Sequence, residues 1–336
     1  MKKVLFALVA MSLLVTACED GNDDFIKLKE VDDVCTMMDD LELMEHCYEE
    51  YDVNKDGKVS MSEAAAVTEI DTYVDRSIKG LEYFINLTDI EILFYEGCTM
   101  NLDFRPFKNL KSLDLYHYNG MSEDPIKINL SNNKALEILK ISGFTFPQLD
   151  LSKLTNLQEL ELFANISEKL DLSDLSELQK LSYIINGNRG VDLSKNNKLK
   201  YLYCWVRNSD PTNPTDLNLN NKTSLQALSI RPKGYNGYIT DLDLSQCTEL
   251  TSINIEDVFV SRLNLANGRN FTGAIVYDDV DLESVPDNFR QLTFLRKSGQ
   301  RLGLEMLKNL GGNMNYEIMY MNTIYGRWSF TVKNID

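Results

Sequence analysis

The chain has 336 residues, 43% of them hydrophobic, and its 51 acidic against 34 basic side chains give a net charge of −17. That is ample length to bury a core, and a surface acidic enough to repel nucleic-acid phosphates. Two histidines, and six cysteines without a Cys-x-x-Cys pair, argue against a zinc knuckle, a redox dithiol or a histidine-centred active site.

At the N-terminus Lys2 and Lys3 precede an almost unbroken apolar run from Val4 to Val15. The run falls short of the about 20 residues that cross a bilayer, and it fits a cleavable secretory signal over 1–17. It ends in Val15-Thr16-Ala17-Cys18, small residues beside a cut and a thiol to carry a lipid. These residues resemble the lipobox of bacterial lipoproteins. The resemblance implies a mature chain that begins at Cys18 and hangs from a membrane by acyl chains. The alternative is an ordinary signal with an incidental cysteine. Losing Lys2 and Lys3 with the signal would leave the mature chain more acidic still. Residues 18–30 read as an acidic tether, in which Glu19, Asp20, Asp23 and Asp24 resemble the surface-export signal of Bacteroidota lipoproteins. A solvated linker is the plainer reading of the same residues. The implied location is the outer membrane, lipid-anchored and exposed at the cell surface.

Residues 31–80 read as a helical cap around one loop. Val31 to Tyr51 has helical apolar spacing at Val34, Met37, Met38, Leu41, Leu43, Met44 and Tyr48. On such a helix Cys35 and Cys47 would lie about 18 Å apart and could not bridge. The loop Asp52-Val53-Asn54-Lys55-Asp56-Gly57-Lys58-Val59-Ser60-Met61-Ser62-Glu63 matches the EF-hand pattern at its discriminating positions. Asp52, Asn54 and Asp56 offer side-chain oxygens, and Gly57 allows the sharp turn. Lys58 offers its backbone carbonyl, Ser60 a contact through water, and Glu63 both carboxylate oxygens. The implied ion is Ca2+, as a constitutive brace, because no second loop is present for paired signalling. An Asx-rich turn without metal is the alternative. Ser60 and Glu63 also make a capping box for an exit helix over Ser62 to Ile70.

From residue 81 a repeat takes over. Leu-x-x-Leu-x-Leu begins at Leu87, Leu110, Leu136, Leu157, Leu178, Leu199, Leu225 and Leu250, with a base period of 21, and continues weakly at Phe271, Ala274 and Val276. Just before it recur Leu149-Asp150-Leu151-Ser152, Leu170-Asp171-Leu172-Ser173, Val191-Asp192-Leu193-Ser194 and Leu242-Asp243-Leu244-Ser245. The period lies in the leucine-rich-repeat range. Each coil cannot bury its leucines alone, so stacked coils share a core, with parallel strands on the concave face. A 21-residue coil leaves little room for a return helix, so the convex side should be short extended segments. Tyr183 and Cys204 replace the third leucine of their coils and read as core. The expected fold is an α/β repeat solenoid, a right-handed leucine-rich-repeat coil over 81–283 with a mixed C-terminal cap over 284–336. In that cap Arg301 to Leu310 reads as a helix, and Tyr316 to Met321 with Trp328 to Val332 as a closing hairpin.

Lys79-Gly80-Leu81-Glu82-Tyr83-Phe84-Ile85-Asn86-Leu87-Thr88, the Leu-Asp-Leu-Ser segments and Lys195 to Cys204 resemble leucine-rich-repeat lipoproteins of Bacteroidota. In general plan the solenoid is similar to the internalins, surface adhesins with a helical N-terminal cap. The resemblance covers about residues 50 to 270 and implies a fold, without a ligand. Longer coils and scarce asparagine after the third leucine depart from a regular array.

Nothing points to catalysis. His46 and His117 have no nucleophile motif beside them, and no phosphate loop occurs. The third, fifth and seventh residues of each repeat should face into the horseshoe. That places Tyr116, Phe163, Tyr201, Tyr203 and Trp205 in an aromatic strip, beside Asp89, Glu91, Asp114, Glu159 and Glu161. Aromatic side chains of this kind carry binding hot spots. The expected role is adhesion or recognition of a protein or glycan by a monomer. An envelope scaffold without a soluble ligand is the second reading, and a glycan-acting enzyme a remote third. Inserts after Trp205 or Arg231 folding over the strip would make these aromatics structural.

Overall fold

The computed structural model describes residues 28–75, 77–95, 102–118, 120, 124–186, 190–234, 237–264, 272–277, 293–295, 301–302, 316–322 and 328–334. Cys18, its signal segment and the acidic tether up to residue 27 lie outside the described residues. Among the described residues no helix is long and apolar enough to cross a membrane.

The cap begins with a 3-10 turn at Val34–Met37 and a helix at Leu41–Tyr51 (α1), followed by one helical turn at Met61–Ala64 (α2). The continuous helix expected over Val31 to Tyr51 is therefore broken. Asp33 caps the first element and Asp40 the second, each carboxylate accepting a backbone N–H, so the chain restarts between them. The break also changes the cysteines. Cys35 and Cys47 come from two separate elements, and both are buried. The Cys47 thiol meets that of Cys35, and this contact with burial pushes it far above the ordinary thiol range. The exit helix stops at Ala64 and does not reach Ile70. Glu69–Val74 is a strand (β1), with Ile70, Thr72 and Val74 buried and the residues between them exposed.

Strands follow at Asp89–Phe94 (β2), Leu102–Asp103 (β3), Ser112–His117 (β4), Ile128–Asn129 (β5), Ile138–Phe146 (β6), Glu159–Ile166 (β7), Lys180–Asn186 (β8), Tyr201–Arg207 (β9) and Ala227–Pro232 (β10). Gly237–Asp243 (β11), Ser252–Glu256 (β12), Val258–Asn264 (β13), Thr272–Tyr277 (β14), Thr293–Leu295 (β15), Arg301–Leu302 (β16), Tyr316–Asn322 (β17) and Trp328–Asn334 (β18) come after them. One sheet runs β1-β2-β4-β6-β7-β8-β9-β10-β12-β14 with every pair parallel. The antiparallel hairpin of β17 and β18 closes it at β14, as the C-terminal sequence implied. Arg301–Leu302 is not helical. It pairs antiparallel with β15, and the rest of that expected helix lies outside the described residues. The return side holds the smaller sheets β11-β13-β15-β16 and β3-β5. The molecule is thus a parallel β-solenoid in place of the expected α/β solenoid. Short coils return through extended segments, and among the described residues the helices sit in the N-terminal cap.

All eight repeat-opening leucines, Leu87 to Leu250, are fully buried. Behind them the register stacks Leu113, Leu139, Leu160, Leu181, Leu202 and Leu228 as one ladder. Burying each such side chain contributes about 1.5–3 kcal/mol, which no coil obtains without its neighbours. Tyr183 and Cys204 continue the adjacent ladder and are buried, as expected of core positions. The Leu-Asp-Leu-Ser segments have a mechanical role. The Asp150, Asp171, Asp192 and Asp243 carboxylates each accept the N–H of the serine two residues on, at 2.8–2.9 Å. In the coils where asparagine stands in for the acid, the Asn129 and Asn218 side-chain oxygens accept the N–H of Ser131 and Asn220 in the same way. The flanking leucines turn inward and the acid stays in water.

Asparagine is used here three residues before the first leucine. Asn133 donates to the carbonyls of Phe104 and Phe107, and Asn196 to those of Leu172 and Leu175, so each ties its coil to an earlier one. Lys222 occupies the same position in a later coil and is 1% exposed. Its ammonium donates to Asn197 Oδ1 at 3.2 Å, and burial pushes its pKa down.

Candidate functional site

The solvent face of the main sheet is organised as rows running across the coils. One row reads Glu69, Asp89, Ser112, Ile138, Glu159, Lys180, Tyr201. The next reads Asp71, Glu91, Asp114, Lys140, Glu161, Ser182, Tyr203. The third holds Tyr73, Leu93, Tyr116, Ser142 and Phe163, and further along the sheet Ile184 stands beside Trp205. Neighbouring members of a row stand about 4.8 Å apart.

The expected strip therefore divides in two. Ser142 separates Tyr116 from Phe163. In the middle coils Phe163 and Trp205 reach over the strand between them and meet edge-on, their centroids 4.6 Å apart. Ile184 lies in that intervening strand and is fully buried, although its position faces the concave side. Tyr201 remains exposed, and Tyr203 and Trp205 are half-buried. The Tyr201 hydroxyl donates to Gln226 Oε1 at 3.1 Å. In the insert after Trp205 the Asn208 amide donates to the Asn213 carbonyl and the Thr215 hydroxyl, and the Thr215 N–H donates to the Tyr238 carbonyl on the return side.

The second group was not anticipated beyond Tyr116. Tyr73, Tyr95 and Tyr118 are exposed with it on the first three coils. Tyr73 and Tyr95 meet at 5.5 Å and Tyr95 and Tyr118 at 5.3 Å between ring centroids. Tyr73 stands on a coil that lacks the leucine motif. Tyr95 and Tyr118 stand at the ninth position of theirs, two beyond the last residue counted as facing inward. Carrying the alternation two residues further would have found both. Beside Tyr118, the His117 Nδ1 lies 2.9 Å from the Gly120 carbonyl. Gly143 in the next coil has φ 86°, and a Cβ there would lie 2.8 Å from His117 Cβ, so this bulge needs glycine.

The charges on this face are unevenly compensated. The Lys180 ammonium holds Glu159 at 2.8 Å and Glu161 at 2.6 Å, while Lys140 stands 4.0 Å from Asp114. Burial pushes the Asp114 carboxyl up. Lys140 opposes that shift, and Glu91 and Glu161 add to it. Glu42 and Glu45 of α1 border Tyr73, and Glu42 is the chief cause of its raised phenol pKa.

The loop at residues 52–63 has the backbone its motif requires. Lys55 and Gly57 take positive φ of 60° and 85°. Asp52 accepts the N–H groups of Asp56 and Gly57, Asn54 that of Asp56, and Asp56 that of Lys58. The Lys58 side chain turns away to Asp32, which leaves its carbonyl as its contribution to the loop. Ser60 and Glu63 form the expected capping box. Glu63 Oε1 accepts from Val53 and Asn54 and its Oε2 from Ser60, and these bonds hold its carboxyl below the ordinary range, that from Ser60 foremost. Among the described residues no three His, Cys, Asp or Glu side chains converge as a ready metal cage. Hard oxygen donors on a tight turn nonetheless fit calcium better than any softer ion.

On the return side a hollow of about 510 Å³ lies among Asp103, Arg105, Lys127, Asp150 and Lys153. Arg105 grips Asp103 with two nitrogens and Asp150 caps its own turn, so these charges already serve the fold.

No family model and no curated protein matches the sequence. Solved structures do. The functional domain of InlJ from Listeria monocytogenes is 14% identical, with 90% of this chain and 92% of that one covered at a TM-score of 0.34. Internalin C2 from the same organism is 18% identical, over 80% of this chain and all of that one, at 0.43. A third internalin, InlF, is 17% identical over 69% and 85%, at 0.30. These are likenesses to leucine-rich-repeat proteins. The solenoid itself is established by the parallel strand register.

Proposed function

We propose that the chain is a cell-envelope lipoprotein that binds a protein or glycan ligand through the concave face of its solenoid. The observation that carries this is the aromatic patch of the middle coils, where Phe163 and Trp205 close over Ile184 and leave Tyr201 and Tyr203 facing the horseshoe. A rigid surface of this kind costs little ordering entropy on binding. Calcium in the loop would neutralise a locally acidic turn through Asp52, Asn54, Asp56, the Lys58 carbonyl, Ser60 and Glu63. What supports that reading is the donor chemistry and the positive φ of Lys55 and Gly57. The lipid anchor at Cys18 rests on the sequence, as does the outer-membrane location.

The test is a paired measurement on Tyr203→Ala/Trp205→Ala. Binding to a glycan array and to intact cells should be lost. Thermal stability should fall modestly, because the Phe163–Trp205 contact contributes about 0.5–1.5 kcal/mol. A drop in stability without a specific binding defect would return the patch to a packing role.

A further inference from the structure

We propose that the first three coils carry a separate recognition surface, built from Tyr73, Tyr95, Tyr116 and Tyr118 beside Glu69, Asp71, Asp89 and Glu91, which takes an arginine-bearing segment of a protein partner. It stands apart from the Tyr201, Tyr203 and Trp205 patch and does not depend on that patch binding anything.

Four of the eight large apolar side chains exposed among the described residues are these tyrosines, 40–59% exposed. Such clustering on one sheet face marks a contact surface, since scattered exposure is the ordinary case. The acids beside them identify the occupant. Asp71, Glu91 and Asp114 stand in register on adjacent strands, and so do Glu69 and Asp89. Like charges side by side at that spacing repel. Further along the sheet the same rows supply their own cations. Lys180 neutralises Glu159 and Glu161, and Lys140 approaches Asp114. In the first two coils these rows contain no lysine or arginine, so a cation carried by a partner would meet carboxylates that have none beside them in register.

The chemistry selects a guanidinium. It pairs with carboxylates in a planar fork and stacks on tyrosine faces, whereas an ammonium does the second less well. A neutral sugar would stack on the tyrosines and leave the acid rows uncompensated. An acidic glycan or a nucleic acid would be repelled.

The experiment uses the chain from Cys18 onward at fixed calcium and physiological salt. The probe is a short Arg-Gly repeat peptide, with a Lys-Gly repeat, a Ser-Gly repeat and a neutral oligosaccharide beside it. The arginine peptide should bind more tightly than the lysine one, and the Ser-Gly peptide and the sugar should not bind. Asp71→Asn/Glu91→Gln and Tyr95→Ala/Tyr118→Ala should each weaken binding about tenfold or more. The amide pair should melt no lower than the parent, which separates lost binding from lost folding. Asp171→Asn/Asp192→Asn removes as many charges from the turns and should bind normally, and Tyr203→Ala/Trp205→Ala should as well. Equal weakening by the turn variant would reduce the effect to bulk charge and overturn the proposal. So would oligosaccharide binding that depends on the tyrosines but ignores the acids, which would make the surface a glycan site. Failure of the middle patch to bind any ligand would leave this result untouched.

Discussion

Asp150, Asp171 and Asp192 each hold a carboxyl below the ordinary aspartate range, chiefly because the N–H of the serine two residues on donates to the anion. A carboxyl depressed in the folded state adds stability above its unfolded value, and that stability is lost as pH falls through the folded one. The three turns should therefore weaken together as pH drops below the ordinary value of 3.8. Asparagine already does this work at Asn129 and Asn218. The triple variant Asp150→Asn/Asp171→Asn/Asp192→Asn should thus fold normally at neutral pH. Its denaturant midpoint should fall less steeply than that of the parent in acid, and parallel curves would show that these turns contribute nothing to acid sensitivity. The recurrence of the Leu-Asp-Leu-Ser segments was visible in the sequence. The reason for the acid was not, because the bond runs to a backbone donor whose position depends on the turn.

At the scale of elements, the N-terminal cap is where local spacing misled. Apolar periodicity over Val31 to Tyr51 is helical, yet Asp33 and Asp40 compete for the backbone and restart the chain. That competition is what brings Cys35 against Cys47. After Ala64 the β-branched alternation of Ile70, Thr72 and Val74 finds a neighbour strand and prevails over helix propensity. The loop between these elements yields the calcium prediction. Added calcium should raise the melting temperature, and Glu63→Ala should remove most of that gain. Glu63→Ala also breaks the capping box, so its calcium-free melting should fall as well. Identical melting in calcium and in chelator would leave the loop as a capped turn alone.

For the whole molecule, the proposed lipid anchor is the part that rests on sequence alone. Cys18→Ala should release the chain into the soluble fraction or leave it unprocessed. Processed protein that still sediments with membranes would remove the lipid anchor from the proposal. The repeat positions Leu87 to Leu250, the buried Tyr183 and Cys204, the closing hairpin and the capping box all followed from the sequence. Each is fixed by short-range pattern, since a period of 21 residues with inward leucines has one way to share a core. Tertiary structure alone decided which side chains lie side by side across coils. It joined Phe163 to Trp205 over Ile184, placed Tyr95 beside both Tyr73 and Tyr118, and matched Lys180 to two acids while leaving Glu69, Asp71, Asp89 and Glu91 without a cation beside them in register. The repeat puts such residues at matching positions, but whether they touch depends also on what the strand between them carries. Register, which no single repeat contains, is what brings them together.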